Sequence, residues 1–125
     1  MKNSRVPQRT ILFVDDEPAI LAVERLLFEG LGYVVLTAGS GEEALSVMQG
    51  HSVDAVVLDY LMPTLDGEET ARRIRTAHGD IPIVIATGLG FLPEPLMSVV
   101  DGSVDKGKGL EELVAVVEKL LYSVN

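Results

Sequence analysis

The chain has 125 residues and a formal net charge of −9, and hydrophobic residues make up 47% of it. This length allows one compact domain with a substantial core. The acidic balance argues against a broad basic surface for nucleic acid or an anionic membrane. The absence of cysteine excludes disulfides, thiolate metal sites and a cysteine nucleophile.

The apolar runs are far shorter than the roughly 20 residues of a spanning helix, so we expect no membrane insertion. Because the chain is acidic, we also expect no direct nucleic-acid binding. The opening MKNSRVPQR is basic and polar, and no long apolar stretch follows it as in a secretory signal. We interpret residues 1–9 as a flexible tail or linker remnant and residues 10–125 as the domain. A cytoplasmic location is expected.

Short apolar runs occur at intervals of about 20 residues along the sequence. They are rich in β-branched residues and nearly continuous rather than alternating, which is typical of strands covered on both faces of a parallel sheet. Strands are predicted at 10–14, 33–36, 55–58 and 81–86, with a weaker fifth strand near 103–105.

Helix signals fall between these runs. Pro18 is well placed at the start of a first helix. Ser40 with Glu43, and Asp66 with Glu69, form capping boxes that predict the starts of a second and a third helix.

The fourth and fifth predicted helices differ in length and regularity. Two prolines, Pro93 and Pro95, leave room only for a short or irregular fourth helix, whereas apolar residues at helical spacing predict a fifth helix from about Leu110. In the first helix we predict a core-facing stripe with Leu21 and Leu26 outside it. The stripe consists of Ile20, Val23, Leu27 and Phe28.

Strict alternation of strands and helices predicts an α/β fold with helices on both faces of a parallel sheet. We expect the flavodoxin-like (βα)5 three-layer sandwich, in which the strand order is 2-1-3-4-5. Ligands of such sheets bind at the carboxyl ends of the strands. The order brings the ends of four strands to one edge. The polar residues at these ends are Asp15, Asp16, Asp59, Thr87 and Lys106.

Repulsion among the carboxylates of this cluster indicates that a cation binds there. Two carboxylates ~5 Å apart repel by roughly 3 kcal/mol at an effective dielectric of about 20. A cation with oxygen ligands, aided by Lys106, would neutralise the cluster, and Mg²⁺ suits a site with few carboxylates and room for water. A carboxylate beside the ion could attack phosphorus, with Lys106 and Thr87 contacting the phosphoryl oxygens.

These residues resemble the receiver domain of two-component response regulators and hybrid histidine kinases, from about Thr10 to Leu121. The matching motifs, in order, are VDDEP, DYLMP, DG at 66–67, AT at 86–87, and DK at 105–106 followed by LEEL. The resemblance implies a phosphoacceptor domain whose donor is a sensor histidine kinase or a histidine phosphotransfer protein, with an unknown downstream target.

The resemblance also implies a role for each matching residue. Asp59 would be the phosphoacceptor, Asp16 a direct Mg²⁺ ligand, and Asp15 a ligand acting largely through water. The backbone carbonyl of Leu61 would complete the metal ligands. Thr87 would be the switch hydroxyl. Lys106 would pair with the phosphoryl group or with Asp59.

Two positions depart from the pattern of the family. Gly107 stands where a proline usually follows the lysine, and Ser103 stands where an aromatic switch residue is common. Two other functions stay open on the sequence alone: a small Mg²⁺-dependent phosphatase acting through Asp59, and a receiver-like interaction module that is not phosphorylated. Whether the domain stands alone or belongs to a larger regulator or kinase is also open.

Overall fold

The computed structural model describes residues 8–62, 66–88 and 92–122. Five parallel strands form one sheet in the order β2-β1-β3-β4-β5, which confirms the predicted topology. The strands are β1 (Thr10–Val14), β2 (Val34–Ala38), β3 (Ala55–Asp59), β4 (Ile83–Thr87) and β5 (Gly102–Asp105).

Two strands begin later than the apolar runs that predicted them. Tyr33 is buried, but its N–H donates to the carbonyl of Phe28 at the end of the preceding helix, at 3.0 Å, so it does not open β2. Pro82 has no N–H to donate, and β4 begins at the next residue. Hydrophobicity alone therefore marks burial better than it marks strand pairing.

Five helices occur within the described residues and cover both faces of the sheet. Phe28 in the first helix and Leu113 in the last pack in one apolar cluster, and residues of the other three helices pack in the second cluster. The helices are α1 (Pro18–Gly30), α2 (Gly41–Gly50), α3 (Gly67–His78), α4 (Glu94–Met97) and α5 (Leu110–Leu121). This is the predicted three-layer sandwich, with the predicted short α4.

The N-cap half of each predicted capping box is present, whereas Glu43 accepts from the N–H of Gly39 and Glu69 pairs with Arg73. Ser40 Oγ accepts a hydrogen bond from the N–H of Glu43 at 3.0 Å, and Asp66 Oδ1 accepts one from the N–H of Glu69 at 2.9 Å. These contacts satisfy backbone donors that a helix start leaves unpaired.

The predicted core stripe of α1 is wrong at one position. Val23 is 50% exposed, whereas Glu24 beside it is only 6% exposed. Leu21, predicted outside the stripe, packs against the core, while Leu26 is exposed as expected. The buried face of α1 therefore carries an acid.

The start of the domain has contacts to its second strand and last helix. The carbonyl of Arg9 accepts a hydrogen bond from the N–H of Val34 at 2.9 Å, and the Arg9 guanidinium lies 5.2 Å from the ring centre of Tyr122. Residues 1–7 of the predicted tail lie outside the described residues. Within the described ranges, no helix combines the length and apolar character needed to cross a bilayer.

Candidate metal and phosphoacceptor site

The carboxyl ends of four strands meet at one edge of the sheet. Asp15 follows β1 directly, and Asp59 is the last residue of β3, which pairs with β1. Thr87 ends β4 and lies opposite Asp105 of β5, so that Lys106 follows on the same edge. The parallel register thus brings together side chains that are up to 91 residues apart in the chain.

Three carboxylates form a cluster at this edge. Asp15, Asp16 and Asp59 each offer an oxygen, and these three atoms all lie within 4.8 Å of one another. Asp15 is 3% and Asp59 8% exposed, whereas Asp16 faces solvent. Buried like charges at this spacing repel strongly unless a cation offsets them, because the low dielectric of the interior strengthens the repulsion.

Lys106 provides part of that compensation. Its Nζ lies 3.2 Å from Asp15 Oδ2 and 3.3 Å from Asp59 Oδ1. Burial disfavours the charge on the ammonium, but its hydrogen bond to Asp15 and the attraction of Asp59 outweigh that cost, so the pKa of Lys106 is raised. Lys106 therefore carries its positive charge in this site.

The pKa of Asp59 is raised above its usual value. Burial is the largest cause and the charge of Asp15 is the second, while Lys106 and a backbone hydrogen bond from Leu61 act in the opposite direction. The positive charge of Lys106 therefore does not fully offset the effects of burial and of Asp15 on the ionised form of Asp59. A further cation would favour the ionised form of Asp59.

The remaining predicted site residues lie at the same edge. Thr87 is buried at the end of β4, and the N–H of Tyr60, next to Asp59, donates to the carbonyl of Ala86 at 3.1 Å. Leu61 lies two residues past Asp59 with its side chain 63% exposed.

The backbone of Gly67 lies very close to that of Asp59 and Tyr60. The N–H of Gly67, the first residue of α3, donates to the carbonyl of Tyr60 at 3.0 Å. A Cβ atom at position 67 would lie 2.7 Å from the carbonyl oxygen of Asp59 and 2.8 Å from Tyr60 Cα. Glycine is required here because real Cβ atoms do not approach backbone so closely.

Comparison with known proteins assigns the fold and site to a family. The sequence pattern of the response regulator receiver domain matches residues 11–118. The chain belongs to this family. Receiver domains are phosphoacceptor signalling domains, so the family and the class of function predicted from the sequence are confirmed.

Individual relatives agree with this assignment. Response regulator MprA of Mycobacterium sp. (strain KMS) is 39% identical over 114 residues, 89% of this chain and 50% of that protein. The probable transcriptional regulator ycf27 of Cyanophora paradoxa is 36% identical over 119 residues, 93% of this chain and 49% of that protein. The receiver domain thus spans about half the length of these curated relatives.

Solved structures give the same result. The response regulator TrrA of Thermotoga maritima, in complex with Mg²⁺-BeF, is 35% identical with a TM-score of 0.86, covering 91% of this chain and 100% of that chain. The chemotaxis protein CheY4 of Vibrio cholerae is 27% identical with a TM-score of 0.85, covering 92% of this chain and 100% of that chain.

The two departures from the family pattern lie on or beside β5 of the receiver domain. Gly107 follows Lys106, and its N–H donates to Asp105 Oδ1 at 2.8 Å, a bond that proline could not make. Ser103 is exposed, and no peptide bond among the described residues is cis. The glycine thus anchors the residue beside Lys106 by a local hydrogen bond.

Sequence reasoning missed one acid next to the receiver site. The pKa of Glu24 is raised to about 7, first by burial and then by the charge of Asp15, with Lys106 acting against the shift and Asp59 adding to it. The signal available in the sequence was its spacing, since Glu24 is four residues after Ile20 and four before Phe28, which places it on the inward face of a helix.

Proposed function

We propose that this receiver domain accepts a phosphoryl group on Asp59, with Mg²⁺ bound beside it, from a phosphohistidine of a sensor histidine kinase or a histidine phosphotransfer protein in the cytoplasm. The observation that carries the proposal is the cluster itself. Three carboxylate oxygens within 4.8 Å of one another share one strand edge with a lysine that is paired to two of the acids.

The donor set fits Mg²⁺. The ion prefers hard oxygen ligands and keeps several waters, and the site offers two buried carboxylates and one that faces solvent. Asp16 would bind the ion directly, Asp15 largely through water, and the carbonyl of Leu61 would add a backbone oxygen. The Mg²⁺-BeF complex of TrrA, which is 35% identical to this chain, supports this choice of ion.

The chemistry of the transfer follows from the positions of the side chains. An oxygen of Asp59 attacks phosphorus, the new O–P bond forms, and the N–P bond to the donor histidine breaks with its electron pair left on the imidazole. When bound, Mg²⁺ supplies positive charge that offsets the phosphoryl oxygens. Lys106, which already contacts Asp59, donates to one phosphoryl oxygen, and the Thr87 hydroxyl donates to another.

Phosphorylation would then alter the surface that a downstream partner binds. Thr87 ends β4, and the segment after it leads to the one-turn α4. A hydroxyl drawn towards the phosphoryl group would move the end of β4, and a single helical turn resists such a shift less than a long packed helix.

The test is covalent labelling of the protein by a small acyl phosphate. With Mg²⁺, intact-mass analysis should show one added phosphoryl group on the native chain and none on Asp59→Asn. Asp80→Asn is the matched control, because Asp80 is an exposed aspartate in the turn before β4. Labelling of Asp59→Asn to the same extent as the control would refute the proposal.

A further inference from the structure

A cavity of about 350 Å³ lies between α1 and α5, beside the phosphoacceptor site. Its walls are mostly apolar and include Ala19, Val23, Leu110 and Leu113. The volume is at the lower end of the range for small-molecule sites. It can accept a molecule of several heavy atoms but not a large cofactor.

One wall of this cavity carries a buried acid. Glu24 lines the cavity and is 6% exposed, and no group among the described residues hydrogen-bonds to its carboxylate. The other buried acids nearby differ: Asp15 accepts from the N–H of Glu17 and from Lys106, and Asp59 pairs with Lys106. Among the described residues, Glu112 Oε1 is the one fully enclosed side-chain oxygen without a partner, so the Glu24 oxygens reach the cavity, where water or a cationic group can offset their charge.

Lys106 attracts the charge of Glu24, but within the described residues it pairs directly with Asp15 and Asp59 and not with Glu24. It lines the same cavity, but its Nζ is held by Asp15 and Asp59 at 3.2 and 3.3 Å. The acid therefore faces an apolar space from which a cation could reach it. Three charged side chains line the cavity, Glu24, Asp105 and Lys106, and their formal sum is negative when Glu24 is ionised. A mostly apolar wall with a few charged groups is typical of a site for a small amphipathic ligand.

We propose that this cavity binds a small organic cation, a guanidinium or primary ammonium group on a short apolar stem. The charged head pairs with Glu24, and the stem packs against Val23, Leu110 and Leu113. Guanidinium suits the site best because it is weakly hydrated and matches a carboxylate with two parallel hydrogen bonds. The cavity shares Lys106 with the carboxylate cluster, but Glu24, which receives the charged head, is not one of the three clustered acids.

Three small molecules distinguish the contribution of the charged head group to binding from that of the apolar stem. n-Butylguanidinium is titrated into the full chain at a pH above the pKa of Glu24 and followed by NMR of amide and methyl groups. n-Butylurea, with the same stem and nearly the same shape but no charge, tests the head group. Guanidinium alone tests the stem. We expect saturable shifts at Ala19, Val23, Leu110 and Leu113 with n-butylguanidinium, and much weaker binding of the other two.

Two variants test the role of the acid. Glu24→Gln keeps the shape and removes the charge, and it should weaken n-butylguanidinium binding by about tenfold or more, since a charged hydrogen bond is lost. Glu111→Gln, at an exposed acid in the first turn of α5, should leave binding unchanged. The proposal is overturned if the shifts do not saturate, if n-butylurea binds equally well, or if both variants bind alike.

Discussion

Lys106, which follows β5, forms an ion pair with Asp15, which follows β1, at 3.2 Å and across 91 residues of sequence. The same ammonium lies 3.3 Å from Asp59. One cation thus bridges two buried carboxylates, and a metal ion at the cluster would share this task. Lysine and metal should therefore partly replace each other in stabilising the fold.

Replacing Lys106 by methionine tests this relationship. Lys106→Met keeps the apolar stem and removes the charge, so Asp15 and Asp59 lose their shared partner. Because the lysine side chain is 27% exposed, we expect a moderate loss of unfolding free energy, about 2 kcal/mol without Mg²⁺. Urea denaturation should show that Mg²⁺ recovers part of this loss.

The matched control for that experiment is Lys108→Met, at an exposed lysine two residues away. It should change stability little and respond to Mg²⁺ as the native chain does. A loss in Lys106→Met that is identical with and without Mg²⁺ would contradict the idea that lysine and metal act on the same charges.

Removing the exposed acid of the cluster should weaken metal binding without unfolding the protein. Asp16→Asn removes one charge from an exposed site, and we expect the dissociation constant for Mg²⁺ to rise about tenfold, or about 1.4 kcal/mol. The measurement is an NMR titration with Mg²⁺, with Asp80→Asn as the control. Unchanged affinity in Asp16→Asn would exclude this residue as a ligand.

Gly67 supports the site through its lack of a side chain. Gly67→Ala would place Cβ 2.7 Å from the carbonyl oxygen of Asp59, so the backbone must shift. We expect a destabilisation of about 1–3 kcal/mol and weaker Mg²⁺ binding, because Asp59 moves with its carbonyl. Gly50→Ala has nothing within 4 Å and should be tolerated. Equal unfolding free energies and equal Mg²⁺ affinities in Gly67→Ala and Gly50→Ala would show that this close approach does not support the site.

Glu24 makes stability depend on pH. Its pKa is about 7 in the folded chain and near 4.5 when unfolded, so between these values the unfolded form loses its proton first and is favoured. Stability therefore falls as pH rises from 4.5 towards 7, by about 3 kcal/mol in full. Glu24→Gln should remove this part of the fall and leave the part that comes from the raised pKa of Asp59.

Urea denaturation across this pH range measures the effect, with Glu111→Gln as the control. The difference between Glu24→Gln and the native chain should be largest above the folded pKa and should vanish as pH drops below the unfolded one. A constant difference at every pH would mean that Glu24 does not titrate as its burial requires.

Much of the fold could be predicted because its signals are local. Continuous β-branched runs marked the strands, and the capping side chains of Ser40 and Asp66 marked helix starts. Alternation of the two elements indicated a parallel α/β sheet, and the flavodoxin-like strand order of such sheets brought Asp15, Asp59 and Lys106 to one edge. The prediction depended on topology more than on any single residue.

The errors came from choices that local patterns leave open. A helix with inward residues at Ile20 and Phe28 can turn either Val23 or Glu24 towards the core, and the apolar residue was the natural choice. The four-residue spacing of Glu24 from both Ile20 and Phe28 was a signal for an inward position, but the apolar character of Val23 outweighed it in the prediction. The packing of α1 against the sheet decides between the two.

The central claim is that the strand-edge cluster makes Asp59, and no neighbouring acid, the phosphoacceptor. The most direct measurement is to label the chain with a small acyl phosphate and Mg²⁺, reduce the acyl phosphate with borohydride, and locate the resulting homoserine by peptide mass spectrometry. The account predicts homoserine at position 59 alone. Homoserine at position 15 or 16, or at a distant acid, would contradict it.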